Sequence, residues 1–357
     1  MKSLLSVLKT KNIATGYLYF YIHLITEIAS FYLLTTMTNG ARFVWLIPFI
    51  YDGLAFVPQA LMGYVNDKKP KMVLSNIGII FFICAYLLYF CTNINKYITL
   101  IILSLGNAFI HVNGAEVTLR TSEGKLSHSA IFVAGGSFGV VLGKVFANSM
   151  IPFWIIIVFV LTMIPFVLLA ETYKKDEVKK CNFDYVDKKI NPMIVIFLAV
   201  FVVIVRGYLG YGIPTSWNTT MMQAVYLYFI MGLGKALGGI LSDWIGIRKV
   251  AVLSTVLAIP FLCLGDNNMY VSLIGVMFFS MTMAITLAIL VSVLKEKPGL
   301  AFGLTTIGLF LGTVPIFFIQ ITSDLLNIAM ISIMSLVCTY VLLKILKKEG
   351  KEDGVDL

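Results

Sequence analysis

The sequence predicts an all-α membrane protein of twelve transmembrane helices in two six-helix bundles. Three observations carry this. Hydrophobic residues make up 59 % of the chain and charged residues 13 %, against roughly 45–50 % and about 25 % in soluble domains. Apolar runs of about 20 residues, long enough for a helix to cross the hydrocarbon, recur from end to end. The basic residues gather in every second connection between those runs.

The runs place helices at 11–36, 43–64, 71–91, 98–119, 127–149 and 151–170, then 192–212, 219–242, 249–265, 270–294, 299–321 and 326–345. Charges punctuate them in order. Lys2, Lys9 and Lys11 precede the first, Lys68, Lys69 and Lys71 follow the second, and Arg120 and Lys125 follow the fourth. Lys174, Lys175, Lys179, Lys180, Lys188 and Lys189 fill the central connection. Arg248 and Lys249 follow the eighth, Lys295 and Lys297 the tenth, and Lys344, Lys347, Lys348 and Lys351 close the twelfth. Only Arg42 and Lys96 fall in the alternate connections, while Lys144, Arg206 and Lys235 lie within helices. By the positive-inside rule both termini are cytoplasmic in a multi-pass cell-membrane protein.

Three divisions follow: 1–170 as an N-terminal bundle, 171–191 as a cytoplasmic linker, and 192–357 as a C-terminal bundle with a tail. The linker's mixed charges leave open a short amphipathic helix. The net charge of +9 is spread over loops facing an anionic leaflet, so it implies a lipid partner and no nucleic acid. No cleaved signal peptide is expected. Cys84, Cys91, Cys181, Cys263 and Cys338 form no close-spaced pair, so neither disulfides nor zinc are expected.

An internal repeat links the halves. GYVNDKKPK at 63–71 recurs as GILSDWIGIRK at 239–249, and one shift carries Gly63 onto Gly239, Asp67 onto Asp243 and Gly136 onto Gly312. Two parallel bundles related about the membrane normal are one layout for alternating access. The helix count, central loop and paired loops resemble the major facilitator superfamily of secondary transporters. The second loop matches that family's signature through Gly239, Asp243, Gly246, Arg248 and Lys249; the first keeps Gly63, Asp67, Lys68 and Lys71 but has Pro70 where glycine is usual. The resemblance implies that these loops hold the cytoplasmic side shut, with Asp67 and Asp243 bracing the opposite bundle and Arg120 a basic partner. The competing reading is a pair of short topogenic turns.

A narrower likeness, in LGNAFIHVNGAE at 105–116, IFVAGGSFGVVLG at 131–143 and the His23–Glu27 stretch, is similar to the branch containing fosmidomycin resistance exporters. Glu27 stands where that branch has aspartate, and Val112 follows His111 where it has proline.

Buried ionisable residues are costly in lipid and mark cavities or partners. His23 and Glu27, at i and i+4, share a face and are in reach of a hydrogen bond. Glu27 reads as principal proton carrier with Asp52 and His23 as partners, or else as part of a fixed polar network. Arg206 and Lys235 read as sites for an anionic group, with a switching salt bridge as the competing role and snorkelling natural for Lys144 and Arg206. His111, Asn113, Glu116 and Tyr51 are further candidates for the solute site. His128 reads as a cap or surface residue.

The leading expectation is a proton-coupled secondary transporter of a small organic anion or zwitterion, with small-molecule substrate, protons and bilayer as partners, no cofactor or metal, and a monomer. The alternatives are a proton-driven multidrug exporter of amphiphilic or cationic compounds and, from another class, a channel or receptor. An enzyme is not expected. GLGKALGG at 232–239 is no phosphate loop, since it lies within a membrane helix.

Overall fold

The structure, a computed structural model, describes residues 13–69, 71–173, 180–319, 321 and 323–348. Pro70 and the basic positions Lys2, Lys9, Lys11, Lys174, Lys175, Lys179 and Lys351 lie outside the described residues. Twelve helices are long and apolar enough to span a membrane: α1 Ala14–Thr38, α2 Leu46–Lys68, α3 Leu74–Cys91, α4 Lys96–Thr121, α5 Ser127–Asn148, α6 Phe153–Thr172, α7 Pro192–Gly212, α8 Met221–Ile245, α9 Ile247–Leu264, α10 Met269–Val293, α11 Pro298–Phe317 and α12 Asp324–Ile345. Among the described residues there is no sheet, only an isolated bridge between Val186 and Leu346.

Local chemistry sets the ends. Asn95, Asn191, Thr220, Asn268 and Ser323 cap α4, α7, α8, α10 and α12 with side-chain oxygens, and Gln223 completes a capping box at Thr220. Gly246 separates α8 from α9 at φ +98°, a conformation that favours glycine, which gives the motif's glycine a backbone reason. Most helix ends fall within three residues of expectation, and two differ by four. α2 continues past residue 64 to Lys68, which puts Asp67 on the helix and not in a loop. α11 stops short of 321 because Pro315 lies in a terminal 3₁₀ turn, Val314–Phe317. Pro58 interrupts α2 between Leu46–Phe56 and Gln59–Lys68.

Glycines determine which helices press together. A methyl group at Gly135, Gly139 or Gly143 would overlap the carbonyls of Phe20, Leu24 and Ile28, so this stripe lets α5 lie backbone to backbone on α1. The two halves meet the same way on the side that carries the linker, called here the linker side. Gly63 and Gly303 bring α2 against Gly299 and Ala60 across the α2–α11 contact, and Gly239 brings α8 against Leu126 and Ala130 of the α5 region. Toward the opposite, far side the contacts are aromatic, with Phe49 tilted against Phe310 and edge-to-face with Phe317 and Phe318, and Phe138 edge-to-face with Phe229.

The linker begins in the last residues of α6, and its residues 180–191 form no helix but an extended strap across the linker side. Tyr185 donates to the Gly124 carbonyl of the first half at 2.7 Å, while Cys181 N and Tyr185 N donate to Lys295 O and Ser292 Oγ of the second. Asp187 N and Lys347 N close the strap onto the end of α12. Cys181 and Phe183 are buried beneath it. Outside the membrane, desolvation raises the Asp184 carboxyl, but Lys188, Lys295 and Lys347, 3.4–3.6 Å away, together outweigh it and hold the group below the usual range.

Candidate functional site

The i, i+4 spacing puts His23 and Glu27 on one face of α1, yet they do not hydrogen-bond. His23 Nε2 stands 3.8 Å from Glu27 Oε1, too far for a hydrogen bond. Each has a partner on α4. His23 Nε2 meets His111 Nε2 at 2.7 Å, and Asn107 Nδ2 donates to Glu27 Oε1 at 2.8 Å. His111 Nε2 lies 3.4 Å from the same carboxylate oxygen. The other ring nitrogens are also held: His23 Nδ1 is 2.9 Å from Phe132 O, and His111 Nδ1 is 2.9 Å from Asn107 O. Gly136 makes room for this, because a methyl there would overlap the His23 ring.

His23, Glu27 and His111 are buried, and three of their possible ligand atoms fall within 4.8 Å of one another. Two imidazoles on one tetrahedral ion with bonds of 2.0–2.1 Å would stand about 3.3 Å apart. The 2.7 Å between these nitrogens is a hydrogen-bond length.

Around this trio lies a second group of partly accessible side chains, whose charges at membrane depth are costly unless they are paired or hydrated. Asp52 on α2, Lys144 on α5, Arg206 on α7, and Tyr228 and Lys235 on α8 are all half-buried. Asp52 is within electrostatic range of Glu27 but makes no hydrogen bond to a described residue. Tyr51, its neighbour, is buried with its hydroxyl unpartnered. Lys235 Nζ donates to Ser137 Oγ across the halves at 2.7 Å and acts electrostatically on Glu27. Lys144 does not snorkel: its ammonium lies 5.5 Å from the Phe31 ring centre and 5.1 Å from that of Tyr228. Arg206 makes no ion pair or hydrogen bond among the described residues, and its Nε is buried without a partner.

Other sequence candidates lie away from this group. Asn113 is fully buried toward the linker side, donating to Tyr19 OH at 2.7 Å and Glu171 Oε1 at 2.8 Å and accepting from Ser75 N. Glu116 is fully buried between Arg120 Nε, 2.7 Å, and Asn66 Nδ2, 3.3 Å. Arg120 also reaches Asp67 at 3.6 Å. Asp67 in turn accepts from Gly299 N and Leu300 N, both at 2.9 Å, at the start of α11. Asp243 accepts from Leu126 N and Ser127 N at 2.8 and 2.9 Å, at the start of α5. Each half thus offers one carboxylate to a helix N-terminus of the other.

The remaining loop residues behave differently. Arg248 donates to the carbonyls of Leu343 and Leu346 within its own half. Lys68 lies over the Tyr64 ring at 4.3 Å, and Lys68, Lys71 and Lys249 are exposed. His128 corrects an expectation: it is neither cap nor surface residue but buried at 1 % exposure, with both ring nitrogens unpartnered. Asp243 caps α5 in its place.

Four participants escaped the sequence reading: Asn107, Ser137, Tyr19 and Glu171. Asn107 carried a signal, since it lies one turn before His111 on the same face. The others are ordinary residues whose importance comes from contacts distant in sequence.

No family model matches this sequence, and no curated protein does. Solved structures do. The structure is similar to the human organic anion transporter TETRAN, with a TM-score of 0.68 at 13 % identity over 94 % of this chain and 100 % of that one. A variant of the E. coli fucose:proton symporter FucP gives 0.63 at 15 % identity over 92 % and 97 %. FucP in the outward conformation gives 0.55 at 12 % identity over 90 % and 98 %. With twelve spanning helices superposed on whole chains of this kind, the protein has the fold of the major facilitator superfamily of secondary transporters.

Proposed function

We propose that the chain is a proton-coupled secondary transporter that moves a small organic anion or zwitterion by alternating access. The observation that carries this is Arg206: a guanidinium at membrane depth with no carboxylate beside it among the described residues, half-buried, and within electrostatic range of Lys235. An unpaired buried cation is expensive, and an anionic group would complete it, in two-pronged fashion if it is a carboxylate or phosphonate. The first half supplies the proton site around Glu27, with His23 and Asp52; the second holds the anion through Arg206 and Lys235, with Tyr51 and His111 on the facing side. Two proteins that share the fold are named for organic anion transport and for proton symport, so both activities are within its range.

The halves 1–170 and 192–357 rock about the site, joined by the linker 171–191. The charge bias of the loops supports a cytoplasmic linker side. Asp67 and Asp243 latch that side shut by binding helix N-termini across the interface, with Arg120 bracing Asp67.

The test is flux in proteoliposomes under an imposed proton gradient, with a panel of carboxylates, phosphonates, zwitterions and amphiphilic cations. Transport of anions or zwitterions with measurable proton movement supports the reading, and the sign of the gradient that drives it gives the direction. Transport confined to amphiphilic cations would favour the multidrug alternative and overturn the role of Arg206.

A further inference from the structure

Two imidazoles from different helices meet at one point, His23 of α1 and His111 of α4, with their Nε2 atoms 2.7 Å apart. The far nitrogen of each ring decides what lies between them. His23 Nδ1 faces the Phe132 carbonyl and His111 Nδ1 faces the Asn107 carbonyl, each at 2.9 Å. A carbonyl oxygen only accepts, so each Nδ1 carries its hydrogen. In a neutral ring of that tautomer Nε2 is a bare lone pair. Two neutral rings would therefore set lone pair against lone pair at hydrogen-bond distance with no hydrogen between them. One added proton converts that repulsion into a charge-assisted N–H···N bond.

We infer that His23 and His111 hold a single proton between their Nε2 atoms with Glu27 as counter-ion, and that this shared proton is the one moved during transport; the last clause rests on the function proposed above. The surroundings fit a monocation. Glu27 Oε1 lies 3.4 Å from His111 Nε2 and 3.8 Å from His23 Nε2, close enough to balance the charge without competing for the bond. Asn107 donates to that same carboxylate oxygen at 2.8 Å and also reaches Ser30 Oγ at 3.2 Å. The α5 and α11 walls offer only small or aromatic neighbours: Gly136, Phe132 and Phe302. The charged or titratable groups facing the trio are Lys235 from α8, acting on both rings and on Glu27, Tyr51 and Asp52 from α2, acting with Glu27, and Tyr211 from α7, also acting with Glu27.

Two consequences distinguish this arrangement from a carboxylate carrier acting alone. Release of the proton to water leaves two opposed lone pairs, so the rings must part, and α1 and α4 register the event directly. A solute anion seated on Lys235 offsets the repulsion between that ammonium and the shared charge, so anion and proton favour each other's binding.

The direct test is nuclear magnetic resonance of the full chain in lipid nanodiscs with ¹⁵N-labelled histidine, which is tractable because the chain has 3 histidines. Both rings should show protonated Nδ1, with one further proton shared between the Nε2 sites and lost in a single step as pH rises. A neutral ring with protonated Nε2 and bare Nδ1 at either position overturns the inference. In proteoliposomes His23→Gln and His111→Gln should each lose solute-driven proton movement, with the His128 resonance at its parent position showing a folded chain, and the double variant should be no worse than either. Proton movement at the parent rate in His111→Gln overturns the assignment. A parent protein that moves no solute on the panel would instead sink the transport reading, leaving the resonance experiment to judge the shared proton by itself.

Discussion

Replacing Asp243 by asparagine isolates one latch. Its carboxylate accepts two backbone N–H groups at 2.8 and 2.9 Å from the first turn of α5, a segment of the other half. Hydrogen bonds to a charged group contribute about 1.5–3 kcal/mol each, and an anion at a helix N-terminus adds roughly 0.3–1 kcal/mol. Asparagine keeps one acceptor and loses the charge, so the linker-side-closed state should lose about 2 kcal/mol, a rise of about 30-fold in the open fraction. Cys181 is a native reporter. Its thiol is buried at 2 % exposure under the strap, beside the Arg120–Asp67–Glu116 group. Labelling by a membrane-impermeant maleimide from the linker side, read by mass spectrometry of the Cys181 peptide, should accelerate by that factor. Asp324→Asn, at the far-side start of α12, should leave the rate unchanged. A folded Asp243→Asn protein that labels at the parent rate would refute the latch.

Four further outcomes follow from the same geometry. Gly63→Ala puts a methyl into the Gly299 carbonyl, so it should also raise Cys181 labelling, by wedging the halves apart with both latches intact. Arg206→Gln should weaken anionic solutes by about 2 kcal/mol, or roughly 30-fold in apparent affinity, with little effect on cations; equal losses for both would mean a structural role. Gly136→Ala displaces the His23 ring and should abolish the shared-proton resonance while solute binding remains measurable by calorimetry. Burial pushes the Cys181 thiol up to about 12, with Asp67 and Glu116 adding to burial and Arg120 opposing it. Between the unfolded thiol's value of about 8.5 and that limit, the unfolded chain is ionised while the folded one keeps its proton. Stability should therefore be full below about 8.5 and fall as pH rises. Cys181→Ser should flatten that decline in thermal melts at pH 9–11.

The sequence made the helices legible because lipid imposes a length and a polarity on each, and the rules that mark them act locally: apolar runs, caps and alternating charge. Gly246 was legible as well, since a positive φ between two helices has a residue-level signature. Partner choice was not. The i, i+4 rule pointed His23 at Glu27, but the ring turned to His111 through a slot that only Gly136 leaves open. His128 sits among serines at a helix start, which looks like a cap, yet the cap comes from Asp243, more than a hundred residues away. Asn113 and Glu116 follow His111 along α4 but point away from its face, and only the packing of Tyr19, Asn66 and Glu171 against them reveals that they are enclosed.

The strap across the linker side sets a thermal signature on turnover. For the halves to part there, Phe183, fully enclosed in this structure, must meet water together with Cys181. Hydration of apolar surface raises heat capacity, so a cycle that wets these side chains has an activation enthalpy that changes with temperature. Plots of log rate against reciprocal temperature should bend, and trimming Phe183 to alanine should straighten them.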